Sequence, residues 1–220
     1  MSSTAPPTDA PRESLAELLG GRRGALDASL PPLLFVAAWL VSGRSVAWGS
    51  GAAVACGVLV AVVRWRRGER PRAVLLGLLG VAVAALVALR TGRAADFFLV
   101  QFVANAASAL AWAVSIVVRW PLLGVVVGAV LGQRTRWRGD PALLRAYSMA
   151  SWAWVAQYVL RVLVLGSLYW ASLRWDGAVI ALGVARVVLS WPLIAACLAV
   201  SWWLLRRSLP DDHPGLRTRV

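Results

Sequence analysis

The sequence predicts an all-α fold: a polytopic transmembrane helical bundle of about six spanning helices plus one short re-entrant or interfacial helix. Three observations lead there. Hydrophobic residues make up 60% of the 220-residue chain and charged ones 15%, with a mean hydropathy of +0.69, whereas ordinary globular domains are roughly half apolar and about a quarter charged. The apolar residues gather in runs, several close to the roughly 20 residues that a helix needs to cross the hydrocarbon core. Arginines stand immediately beside those runs, which is how membrane topology is encoded.

Residues 1–12 are rich in Ser, Thr, Ala and Pro and predict disorder. No charged segment precedes an apolar core there, so the start does not read as a signal peptide. Ser14 and Glu17 have the spacing of a capping box that opens a short helix, and Gly20-Gly21 end it. An N-terminal tail is expected over 1–29, a transmembrane domain over 30–207 and a C-terminal tail over 208–220. The apolar runs are 31–43, 46–63, 73–89, 97–118, 121–132, 146–171 and 177–205. Two are short, 31–43 and 121–132, and runs of that length are more often re-entrant or interfacial than spanning. Both begin at proline (Pro31-Pro32 and Pro121), a residue suited to a helix's first turn.

Loop charge arbitrates between topologies. If 31–43 crosses and 121–132 does not, 17 arginines lie on the side of the termini and four (Arg44, Arg90, Arg93 and Arg174) on the other. Letting 121–132 cross as well evens the count to 10 against 11. The positive-inside rule selects the first arrangement, with both termini cytoplasmic in a bacterial plasma membrane. Trp65, Trp120, Trp137, Trp170, Trp175, Trp202 and Trp203 lie near run ends and read as interfacial anchors. Gly124, Gly128 and Gly132 form a GxxxGxxxG series that lets helix backbones approach, predicting a packed face inside the bundle rather than between subunits. "VVRWPLLG" at 117–124 and "VLSWPLIA" at 188–195 share a Trp-Pro-Leu core, a faint internal echo.

Composition also excludes classes. The net charge of +13 comes from 23 arginines and no lysine, a bias expected of a high-GC bacterial gene. Because the arginines flank apolar runs, they mark topology rather than a nucleic-acid surface. Cys56 and Cys197 lie inside apolar runs and read as small hydrophobes, not as a disulfide or metal pair. His213 stands alone in the tail. With no HExxH, no phosphate-cradling glycine loop and no GxSxG, neither an enzyme nor a cofactor or metal is expected.

The runs do contain polar residues. Gln101, Asn105, Ser108 and Ser115 fall on one face of a helix. Arg161 lies 11 residues before the turn at 172–176 and Arg186 ten after it, so both sit about 15 Å below that end of the bundle. Asn105 falls at a similar depth, Gln157 one turn from Arg161, and Ser190 one turn from Arg186. An arginine near the bilayer centre costs several kcal/mol and is a functional hypothesis by default. One reading gathers Asn105, Gln157, Arg161, Arg186 and Ser190 into a ligand-binding cavity for a small anion or an anionic lipid headgroup. In the other, amides and carbonyls satisfy the arginines and the cluster holds helices together, the polar stripe supplying oxygens to the guanidinium groups. Asp96 is expected to cap the following helix.

Five stretches resemble a known family: "GGRRGALDASLPPLLF", "TGRAADFFLVQFVANAA", "RWPLLGVVVGAVLG", "TRWRGDPALLRAY" and "YVLRVLVLGSLYWA". Together, from about Leu15 to Arg207, they resemble an uncharacterised family of actinobacterial integral membrane proteins, a domain of unknown function. Where that family tends to carry Pro-Gly after Asp-Phe-Phe-Leu, this chain has Val100-Gln101. The layout and an Asp-Phe pair are also distantly like inner-membrane proteins of intracellular septation. The resemblance implies a membrane protein without an assigned activity. The expectation is an envelope- or division-associated scaffold in the lipid bilayer, with envelope or division proteins as partners; the alternative is a transporter or binding protein for a small anionic solute or lipid headgroup.

Overall fold

The computed structural model describes residues 21–68, 71–130 and 135–208. Among them the regular structure is helical throughout: α1 Gly21–Val41, α2 Val46–Arg66, α3 Pro71–Thr91, a 3-10 turn Ala94–Phe98, α4 Leu99–Val117, α5 Leu122–Val130, a second 3-10 turn Arg136–Gly139, α6 Pro141–Ser172, α7 Gly177–Val188 and α8 Trp191–Ser208. The expected capping-box helix at Ser14–Glu17 lies outside the described residues.

Five segments are long and apolar enough to cross a membrane: Val46–Arg66, Val74–Thr91, Ala94–Val117, Pro141–Ser172 and Gly177–Ser208. The apolar part of α1, Asp27–Val41, is shorter, yet α1 runs the length of the bundle. Arg67 Nη1 meets Asp27 Oδ2 at 3.4 Å, and Arg44 Nη1 meets Asp176 Oδ2 at 2.6 Å. Arg44 and Arg67 flank α2 at its two ends, so α1 lies antiparallel to α2 from one end to the other and makes a sixth pass. Exposed ion pairs of this kind add little stability; here they fix the register.

Two expectations about helix starts are corrected. α1 does not begin at Pro31-Pro32 but at Gly21, ten residues earlier, with both prolines inside it. The prolines carry no N–H, so the carbonyls of Asp27 and Ala28 lose their usual amide donors. The last apolar run is not one helix. It breaks at Leu189-Ser190, and Pro192 stands in the first turn of α8 where its missing donor costs nothing. The Trp-Pro-Leu echo is therefore punctuation, since Pro121 also stands immediately before α5.

α5 does not cross. Its nine residues span about 13 Å. Arg138, beyond its far end, places its guanidinium 3.9 Å from the ring centre of Trp120, just before its start, so the chain enters and leaves α5 at one level. Gly124 and Gly128 are buried, and a side chain at 124 would meet the Trp137 ring at 3.0 Å. That places the glycine face inside the fold, while Gly132 lies outside the described residues. Trp137 is 1% exposed. It packs edge-on against Tyr147 and is core, not the interfacial anchor expected. Trp65, Trp170, Trp175, Trp202 and Trp203 are exposed near helix ends as anchors should be.

The core has two centres. Phe35, Val36, Trp39, Ala85, Ala88, Phe97, Phe98 and Leu182 gather α1, α3, the first 3-10 turn and α7. Leu123, Trp137, Leu143, Tyr147 and Leu205 gather α5, α6 and α8. Outward, Leu75, Leu76, Leu79, Leu86, Leu110 and Leu163 are exposed along the spans. Such a continuous apolar exterior suits lipid and not water. The protein is a multi-pass integral membrane protein.

Candidate functional site

A cavity of about 280 Å³ opens among α1, α2, α3, α4 and α7. Its polar lining consists of Asp27, Arg64, Gln101 and Arg186; most of the wall is apolar, from Val60, Val74, Leu78, Val81 and Phe97 among others. It reaches from the Arg67 end of the bundle, where Asp27 and Arg64 lie, to mid-depth. Pro31 and Pro32 line it next to Asp27 and Ala28, so the two carbonyls that the prolines leave without amide donors sit at its edge.

Arg186 reaches this cavity because of its place on α7. Val179, Leu182 and Gly183 form the buried face of that helix, and Arg186 is the next position along it. It stands nine residues into α7, about 14 Å from the helix start and close to the bilayer midplane. Among the described residues its guanidinium has neither an ion-pair nor a hydrogen-bond partner. A lone cation at that depth carries an insertion cost of about 2.5–3.5 kcal/mol.

The other expected site residues go elsewhere. Arg161 Nη2 donates to the carbonyl of Ser190 at 3.0 Å, and its guanidinium lies 5.6 Å from the Tyr158 ring centre. The Ser190 hydroxyl donates to the carbonyl of Arg186 one turn back. Arg161 and Ser190 thus stitch the break between α7 and α8, where the interrupted ladder leaves carbonyls that lipid cannot satisfy. The two arginines do not share a pocket. Only Arg186 of the five expected residues lines the 280 Å³ cavity. Replacing Arg161 by Leu removes a charge-assisted bond of about 1.5–3 kcal/mol and leaves the Ser190 carbonyl only the Ile194 N–H, at 3.3 Å. Amide exchange across Val187–Ile194 is expected to quicken about tenfold or more, while exchange in α2 stays unchanged.

Asn105 and Gln157 are buried on α4 and α6. Asn105 Nδ2 donates to the Gln101 carbonyl at 2.8 Å; among the described residues its Oδ1 has no partner, and neither amide atom of Gln157 has one. The polar stripe does not serve the guanidinium groups as expected. Ser108 donates to its own helix, at the Ala104 carbonyl. Ser115 donates to the Trp112 carbonyl and accepts from the Leu122 N–H at 3.3 Å, closing the turn into α5. Short hydroxyl and amide side chains bond back to nearby carbonyls wherever helix geometry allows. Gln101, which the sequence placed on the stripe but not in the site, is the member that lines the cavity.

Asp96 does not cap α4. Phe98 holds the N-cap position, and Asp96 lies inside the preceding 3-10 turn, 4% exposed. Its Oδ1 accepts from the Tyr169 hydroxyl at 2.6 Å, and the Arg93 guanidinium lies 5.7 Å from the Tyr169 ring centre. The tighter turn keeps all five of its residues buried, which aims the carboxylate at α6 instead of at free amides. Tyr169→Phe removes a charge-assisted bond and is expected to lower stability by about 1.5–3 kcal/mol, measured by thermal unfolding in detergent.

Among the described residues no group of His, Cys, Asp and Glu is placed to hold a metal ion. Cys56 and Cys197 are free and buried on different helices. No curated protein and no solved structure matches the chain. A family model does, over residues 19–212, which takes in every described helix. The chain belongs to the family described as proteins of unknown function, DUF3159.

Proposed function

We propose that this protein binds a small organic anion in the Arg186 cavity and carries it across the bacterial plasma membrane. The observation that carries the reading is Arg186 itself, an unpartnered guanidinium near mid-depth that lines a cavity of about 280 Å³. A cation used only to hold helices together takes a carbonyl or carboxylate partner, as Arg161 does. The cavity is at the small end for ligand sites. Its walls are mainly apolar, which favours an anion with an apolar body over a hydrated inorganic ion. The arginines at helix ends near the cavity mouth (Arg64, Arg66, Arg67, Arg206 and Arg207) support placing that mouth and both termini in the cytoplasm.

A free carboxylate and a lipid phosphate present the same chemistry to Arg186, and the test separates them. Proteoliposomes with the full chain are assayed for uptake of radiolabelled octanoate, and the extracted protein for retained phosphatidic acid by native mass spectrometry. Octanoate uptake lost in Arg186→Gln supports a soluble substrate. Stoichiometric phosphatidic acid lost in the same variant makes the occupant a lipid. If neither depends on Arg186, the reading fails and the envelope or division scaffold takes its place.

A further inference from the structure

A second cavity, of about 240 Å³, opens at the opposite end of the bundle. Its polar lining includes Arg44, Arg93, Ser172 and Asp176. Four elements line both cavities: α1, α2, the first 3-10 turn and α7. On α1, Pro32 faces the first cavity and Trp39 the second, with Phe35 between them. On α2, Val46 faces the second and Gly57 the first, with Ala53 between; on α7 the order is Arg186, Leu182, Val179; and α3 leads from Ala84 past Ala88 to Gly92, just beyond its end. On the 3-10 turn, Phe97 faces the first cavity, and Ala94 and Ala95 the second.

Along α1, α7 and the α3–Gly92 stretch the separating layer is therefore seven to eight residues deep, about 10–12 Å. At its centre Phe35 and Phe97 stack with ring centres 4.1 Å apart and planes 13° from parallel, and Phe98 meets both rings edge-on. The layer has no slack: a side-chain atom at Gly183 would lie 2.9 Å from Val36, and one at Gly49 would lie 3.0 Å from the Phe35 carbonyl. The bundle keeps a charged lining on either side of a thin aromatic partition. Part of the partition is carried by the 3-10 turn that opens the Ala94–Val117 span.

We infer that the two cavities are the halves of one transmembrane pathway, closed in this conformation by the Phe35–Phe97 layer. The inference extends the Arg186 reading by giving the anion a route and a barrier. Release toward the Arg44 end requires that these two rings part.

The test uses single cysteines in the full chain with Cys56→Ala and Cys197→Ala, in intact cells and in inverted membrane vesicles. The probes are charged, membrane-impermeant methanethiosulfonates, one anionic and one cationic. Ser172→Cys is expected to react only from the Arg44 side and Gln101→Cys only from the Arg67 side. Adding Phe35→Ala with Phe97→Ala should open Gln101→Cys to the Arg44 side, at least tenfold faster than with the rings intact; Ser172→Cys reactivity reports that the fold persists. Phe97→Leu offers a milder opening if the double variant fails to reach the membrane. The inference is overturned if Gln101→Cys reacts from the Arg44 side with both rings present, or does not react from the Arg67 side. It is also overturned if trimming the rings opens nothing while Ser172→Cys still reacts. The charge of the probe separates this outcome from the earlier reading. Sidedness as expected, with no anionic preference lost in Arg186→Gln, leaves the pathway standing and removes the anion.

Discussion

Arg186→Leu is expected to produce a protein at least as stable as the wild type that no longer takes up an organic anion. Stability follows from what the guanidinium lacks. An arginine near the bilayer centre costs about 2.5–3.5 kcal/mol on insertion scales, and no carbonyl or carboxylate of the described residues offsets that cost. Leucine continues the apolar face of Val179 and Leu182 and relieves the penalty. Function follows from what the cavity would lose. Arg186 is its cation at mid-depth, and a charge-assisted bond of about 1.5–3 kcal/mol corresponds to roughly ten- to a hundredfold in affinity. Thermal unfolding in detergent and octanoate uptake in proteoliposomes, measured on one preparation, separate the two effects. A melting temperature several degrees below wild type would show that Arg186 holds the bundle together, and the site reading would then fall.

Gly124→Leu is expected to act in the opposite way, disrupting structure remote from the cavity. A Cβ at 124 comes within 3.0 Å of three atoms of the Trp137 indole. That ring cannot retreat. It is 1% exposed and lies edge-on to Tyr147, with ring centres 5.6 Å apart and Tyr147 itself wholly buried. Forcing side-chain atoms into such a contact costs about 1–3 kcal/mol per site, and a leucine adds three carbons beyond the Cβ. The variant should melt well below wild type and expose Trp137 to aqueous quenchers. Gly51→Leu is the control, since a side chain there meets nothing within 4 Å. Equal melting of the two variants would mean that α5 is not seated on Trp137.

The spans were legible because apolar length alone decides them, and runs such as 46–63 and 73–89 lie within α2 and α3. Where the reading departed from the structure, a local residue had carried two meanings. Pro31-Pro32 looked like a helix start because proline suits a first turn, yet α1 tolerates both inside it. Pro192 marks a real start, but unbroken apolarity across 177–205 hid the break. The site divided along a similar line. The positions of Arg161 and Arg186 along their helices follow from counting at 1.5 Å per residue. Direction around each helix axis depends on neighbours that no count supplies. So Arg161 turned to the Ser190 carbonyl and Arg186 to the cavity. Asp96 was misplaced for a related reason: a carboxylate shortly before a helix is ordinarily a cap, and only the Tyr169 hydroxyl, 73 residues away in sequence, shows that this one is not.

The return of the chain at α5 has a consequence for biogenesis. Because that segment enters and leaves at one level, the passes among the described residues are even in number, and α1 begins on the face where α8 ends. The connections at the opposite face are minimal: Ser42–Ser45 between α1 and α2, Gly92-Arg93 before the first 3-10 turn, and Leu173–Asp176 between α6 and α7. The insertion machinery therefore has no folded or strongly polar domain to push through the lipid at that face. Three successive hairpins, each with a turn of only a few residues, suffice to thread the whole bundle.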